Sequence, residues 1–180
     1  MDINLDVYSS GIKDALSGMK PQMSQEEIRA AITGLQQRLQ AAQQKELKEK
    51  AAKNLEESKK FFAENQKKEG IKTLPSGLQY KVLTEGSGKM PKAEDTVTVH
   101  YKGILIDGTE FDSSYKRGQP ATFQVNGVIK GWTEALQLMK EGSKWQLFIP
   151  SDLAYGERGA GRTIPPNSAL IFEVELIAVK

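Results

Sequence analysis

The chain has 180 residues, enough for one large domain or for one domain with an accessory part. It has no cysteine and a single histidine, His100, so disulfides and thiolate metal sites are excluded and His-based triads have almost nothing to work with. Net charge is +2, from 25 Lys and Arg against 23 Asp and Glu, spread evenly along the chain; without a basic patch, nucleic acid is not the expected ligand.

Residues 1 to about 70 hold one proline, Pro21, few β-branched residues and many Ala, Gln, Lys and Glu. Asp6 is placed to cap a short helix ending near Gly18, with Val7, Ile12, Leu16 and Met19 roughly on one face. Ser24 and Glu27 have the spacing of a capping box, no proline follows before Glu69, and Gly70 suits the C′ position. The pattern predicts a helix of about 45 residues, roughly 65–70 Å long, which exceeds the width of a small domain, so that part of it projects.

Ile28, Ile32, Leu35, Leu39 and Ala42 step by 4, 3, 4 and 3, the spacing of an a/d seam. Beyond Ala42 the seam thins into Lys- and Glu-rich surface with Leu47, Leu55, Phe61 and Phe62 as isolated anchors, the pattern of a solvated helix held by i,i+4 pairs. Two apolar helices of this size cannot bury their faces alone, so residues 3–42 are expected to pack on a second copy as a homodimer. No apolar run reaches the length of a membrane span, and MDINLDVYSS has no signal-peptide pattern; the chain is expected to be cytoplasmic or a mature form.

From residue 72 the texture changes to short β-rich runs broken by Gly, Pro and Asp, which places a domain boundary near Gly70 and divides the chain into residues 1–71 and 72–180. Strands are expected over 78–84, 96–106, 121–125, 143–150 and 170–179. Val97, Val99 and Tyr101 alternate with Thr96, Thr98 and His100, and Leu170, Phe172, Val174 and Leu176 with Ile171, Glu173 and Glu175, giving a sheet with one buried and one wet face. Residues 132–139 have helical spacing and are expected to lie across the apolar face. The fold class is therefore α+β: a curved antiparallel sheet on one short helix, after an all-α region with a long connecting helix.

Polar candidates in the second part are few: Asp112, Arg117 and Tyr155, among apolar or aromatic neighbours. The stretch LAYGERGAGRTIPP, residues 153–166, is a long loop with no nucleophile or metal ligand. His100 falls on the polar phase of its strand and reads as a surface or edge residue, and Phe123 and Trp145 read as core. An aromatic pocket with so few polar groups suits a reaction that breaks no bond, such as rotation about an X–Pro peptide bond. That barrier, about 18–20 kcal/mol, comes from C–N double-bond character, which a dry apolar slot weakens. Spacing alone does not separate this reaction from plain ligand binding.

The runs VTVHYKGILIDGTEFDSS, VIKGWTEAL and LAYGERGAGRTIPPNSALIFEVEL, with the lead-in LPSGLQYKVL, resemble the FKBP-type peptidyl-prolyl isomerases over residues 72–180. With the helical front end, the stretch PATFQVNGVIKGWTEALQLMKEGSKW is most similar to the macrophage infectivity potentiator group of Gram-negative bacteria. The resemblance implies a catalytic set of Asp112, Tyr155, Trp132 and Phe172. Trp132 would floor the pocket under the prolyl ring, Tyr155 would offer its hydroxyl to a carbonyl, and Asp112 would stand at the rim.

Tyr101, Phe111, Val128, Ile129, Ile164 and Phe172 would be apolar walls, the Ile129 N–H a second donor, and Arg117 the residue holding Asp112 or Tyr155. No cofactor or metal is implied. The implied partners are proline-containing unfolded or partly folded proteins, macrolide inhibitors of the rapamycin type, and a second copy of the chain through its amino-terminal helices. A periplasmic or outer-membrane location and a link to virulence are implied in the same way. Ala121 stands where many members place an aromatic residue and Ala160 where several carry His, so a wider pocket and a looser grip on macrolides are expected. The group usually has another helix before DINLDVY, which the dimer would here lack. The alternative reading is a dimeric chaperone-like clamp with incidental isomerase activity.

Overall fold

A computed structural model describes residues 5–18 and 23–180. Helix α1 spans Leu5–Leu16 and helix α2 spans Gln25–Asn65. Asp6 therefore lies within the first turn of α1 and not before it; Met19 lies outside the described residues. The capping box of α2 is present: the Glu27 N–H donates to Ser24 Oγ at 3.2 Å, and the Ser24 N–H to Glu27 Oε2 at 2.7 Å. These bonds hold the Glu27 carboxyl below its usual range. Lys59–Glu56 and Lys53–Glu57 pairs line the solvated stretch at 3.0 and 3.7 Å.

The helix stops four residues before the expected end at Glu69. Beyond Asn65 the backbone tightens into bonds three residues apart, Lys67 to Glu64 and Lys68 to Asn65, and Gly70 at φ +79° closes the turn. A side-chain exchange fixes that point. Gln79 Nε2 donates to the Phe62 carbonyl at 3.1 Å, and Asn65, 1% exposed, donates its amide to Gln79 Oε1 at 3.0 Å. The Phe62 carbonyl, which also accepts the Gln66 N–H at 3.1 Å, is thus tied to the sheet as well as to the helix.

The sheet contains β1 (Ile71–Thr73), β2 (Gln79–Thr84), β3 (Thr96–Leu105), β4 (Glu110–Ser113), β5 (Ala121–Gln124), β6 (Lys144–Ile149) and β7 (Leu170–Val179). Its order is β1-β2-β6-β7-β3-β4, with β5 also on β3, and all pairings are antiparallel. One edge of β3 is shared: Thr96–Val99 pair with β5 and Lys102–Ile104 with β4. Bulges at Thr98/Val99 and Gly103/Ile104 mark where β3 changes register with its neighbours. The five expected strands are found within two residues at either end. β1 and β4 were not expected; each is four residues or fewer, too short to show alternation.

Val97, Val99 and Tyr101 on β3, and Leu170, Phe172, Val174 and Leu176 on β7, are buried as their alternation requires. Helix α3 spans Lys130–Leu136, so it starts and ends before the expected 132–139; Leu136 and Met139 are still fully buried in the core. By packing, the chain forms two compact units, residues 1–46 and 47–180. The second takes in the last turns of α2, where Phe61 lies 5.9 Å from the Phe148 ring. No helix among the described residues is long and apolar enough to cross a membrane.

Candidate active site

The apolar face of the sheet opens into a pocket of about 680 Å³ beside α3. Trp132, 4% exposed, forms its floor because it sits in the first turn of α3 with three rings set edge-on around its indole. Tyr101 and Phe172 are each 5.2 Å from it, at 88° and 79°, and Phe123 is 5.8 Å away at 89°. Phe111 from β4 meets Phe172 edge-on at 5.4 Å. Both rings lie over Gly103 of β3, where an added Cβ would come within 2.6 Å of Phe111 and 2.7 Å of Phe172. Glycine at that position lets the two walls approach the sheet.

The structure brings Tyr101, Phe111, Asp112, Val128, Ile129, Trp132, Tyr155, Ile164 and Phe172 around this one cavity. Arg117 does not line it. Its guanidinium stands behind the rim, bonded through Nη1 to Asp112 Oδ1 and through Nη2 to the Tyr101 hydroxyl at 2.8 Å, and lies 5.3 Å from the Tyr101 ring centre. Of the two partners expected for Arg117 it takes Asp112, and in place of Tyr155 it takes Tyr101. Tyr101 is consequently more than a wall, since its hydroxyl also donates to Asp112 Oδ2 at 2.5 Å.

Phe123, expected in the core, is only half-buried and lines the pocket. Trp145 is core as expected, stacked on Tyr80 at 4.4 Å. His100 lies half-buried on the wet face, with Nδ1 2.9 Å from Ser114 Oγ and its ring stacked on Tyr115. Gly127, Ala160, Gly161 and Thr163 also line the pocket. Of the two departures from the family pattern, Ala160 faces the cavity, whereas Ala121 pairs with Val99 in the sheet and is not among the lining residues.

The electrostatics are those of an uncharged pocket with one anion at its rim. Burial would lift the Asp112 carboxyl, but hydrogen bonds from Tyr101 and Arg117 outweigh it and hold the group below the usual carboxylate range. Burial, then the bond to Asp112, pushes the Tyr101 phenol up. Burial, then the Asp112 charge, does the same to Tyr155. Tyr155 keeps its proton and has no hydrogen-bond partner for its hydroxyl among the described residues. The Ile129 N–H, at the N-cap of α3, is likewise uncommitted, its carbonyl being used by Trp132 and Thr133. Two free donors on an aromatic cavity can receive the carbonyl groups of an extended peptide.

The family description "FKBP-type peptidyl-prolyl cis-trans isomerase" matches residues 87–177, which include the whole pocket. The chain belongs to this family. A second description, "Domain amino terminal to FKBP-type peptidyl-prolyl isomerase", matches residues 1–82. The chain is 49% identical to the outer membrane protein MIP of Legionella longbeachae over 180 residues, covering all of this chain and 77% of that protein. It is 51% identical to the FKBP-type 22 kDa peptidyl-prolyl cis-trans isomerase of Escherichia coli over 170 residues, covering 94% of this chain and 81% of that one. The crystal structure of FkpA from Escherichia coli superposes with a TM-score of 0.87 at 42% identity, over all of this chain and 84% of FkpA. These matches identify the isomerase as an enzyme and favour isomerisation over the clamp reading.

Proposed function

We propose that this isomerase accelerates X–Pro rotation in folding proteins by drawing the bond into the cavity above Trp132. The observation that carries the reading is the pairing of an aromatic, mostly apolar pocket with two uncommitted donors, Tyr155 O–H and Ile129 N–H. Amide resonance places charge on the carbonyl oxygen, which water stabilises. Removing that water weakens the C–N double-bond character that makes up most of the about 18–20 kcal/mol barrier. The prolyl ring rests on the Trp132 indole between Phe172, Phe111 and Ile164, while Val128 and Ile129 border the chain. Tyr155 and Ile129 hold flanking carbonyls, so the twist is confined to the one bond between fixed ends. Asp112, kept ionised by Arg117 and Tyr101, orients the rim and supplies the fixed charge the rotating carbonyl meets.

In a proline-limited refolding assay, Asp112→Leu and Tyr155→Phe should each slow turnover severalfold or more. Wild-type rates in both variants would sink the site assignment. The same cavity, bordered by Ala160, is the surface for macrolides of the rapamycin type, gripped loosely. Residues 1–71 serve as a dimerisation region and linker helix and residues 72–180 as the isomerase domain. Acting on proline-containing clients in the periplasm or at the outer membrane is consistent with the name carried by the Legionella relative.

A further inference from the structure

The pocket is completed by the long connection between β6 and β7, which supplies Tyr155, Ala160, Gly161, Thr163 and Ile164. Within it, Ala160 and Ile164 exchange backbone bonds at 2.9 and 3.1 Å, and the Asn167 N–H donates to the Gly156 carbonyl at 2.9 Å. Both ends of the loop therefore converge on Asn167, beside Tyr155 on one side and two prolines past Ile164 on the other. Asn167 is the one non-glycine residue with positive φ, +55°, among the described residues. That left-handed turn lets its N–H reach Gly156 while its side chain faces away.

The side chain is engaged by the last turns of α2. Asn167 Nδ2 donates to the Ala51 carbonyl at 3.3 Å, and Asn54 Nδ2 donates to the Pro166 carbonyl at 2.7 Å. A crevice of about 640 Å³, bounded by Leu55, Ser58 and Phe62 on the helix and by Ser151, Gly156 and Glu157 on the loop, separates them. The two amide clasps tie the loop to the helix beside that crevice. The helix itself is held at its far end by Asn65, Gln79 and the Phe61–Phe148 contact.

We infer that Asn54 and Asn167 are positioning residues for the isomerase, setting the placement of Tyr155 and Ile164 from the linker helix. The helix thus acts as a splint for the pocket wall as well as a connector. This rests on the isomerase reading of the pocket.

The test uses the full chain with Asn54→Asp, Asn54→Ala and Asn167→Asp. Each removes the donor, and aspartate tolerates the left-handed turn at 167. Glu141→Gln, which weakens the bond to the Val179 N–H away from the pocket, is the stability control. With a cis-enriched proline peptide, the clasp variants should raise KM by about 3–10-fold, the range of one lost hydrogen bond. They should also speed amide exchange at Ala160 and Ile164. Simple loss of folded protein would lower the apparent kcat and leave KM alone, as in the control. Clasp variants with wild-type KM and wild-type exchange, beside an active wild type, would overturn the inference alone. A wild-type chain that does not isomerise the peptide would overturn the isomerase reading first and this inference with it.

Discussion

The Tyr101 hydroxyl donates to Asp112 Oδ2 at 2.5 Å while accepting from Arg117 Nη2 at 2.8 Å. A residue that alternation along β3 marks as core thereby carries the polar link between the pocket wall and its rim. Tyr101→Phe keeps the ring against Trp132 and removes only this link. We expect kcat/KM to fall about 10–150-fold, the range for a hydrogen bond to a charged group. The Asp112 carboxyl loses one of the bonds holding it down, so its titration moves upward. Following the Asp112 carboxyl signal against pH checks the second half: an unmoved Asp112 would show that Arg117 alone sets its charge.

The pH profile follows from the same three groups. The Asp112 value is lowered on folding, so its contribution is complete above the ordinary carboxylate value of about 3.9 and disappears as pH falls through the lower folded value. The Tyr101 and Tyr155 values are raised, so theirs are complete below the ordinary phenol value of about 10 and disappear as pH rises through the higher folded values. Peptide isomerisation should therefore be level between about pH 5 and 9. A step near pH 6–7 would contradict rotation without proton transfer.

Gly103 sits where a methyl group would strike both Phe111 and Phe172. Gly103→Ala should destabilise the fold by about 1–3 kcal/mol, the usual penalty for overpacking. It should also raise KM, because the two displaced rings form one wall. Urea unfolding and peptide kinetics measured together separate these effects. A variant with wild-type stability would show that the rings move freely and that glycine is not needed there.

The sheet was legible because burial on one face writes a period of two into β3 and β7, and the capping box because Ser24 and Glu27 lie three apart. The rim network was less so. Alternation assigned Tyr101 to the core by its ring and said nothing of its hydroxyl, and Phe123 looked like core because it shares a phase with Ala121 and Val125. The end of α2 was misplaced because Gly70 is a local signal, whereas Gln79 stops the helix from fourteen residues beyond Asn65. The clasps at Asn54 and Asn167 span more than 110 residues and involve backbone carbonyls, which leave no trace in hydrophobic pattern. Pairings of that kind become visible only in three dimensions.

Ile28, Ile32, Leu35 and Leu39 are 40%, 50%, 41% and 51% exposed in the single chain, at the spacing of an interhelical seam. Burying such a side chain is worth about 1.5–3 kcal/mol, so a row of four left in water is a strong drive to associate. We expect the wild-type chain to sediment as a dimer and Ile32→Glu with Leu39→Glu as a monomer. The pocket draws its residues from 101–172, so peptide isomerisation by the double variant should stay within about twofold of wild type, as for sites that share no residues. A wild-type chain that sediments as a monomer at tens of micromolar, about the range where a functional dimer must hold, would remove the seam as a dimer interface.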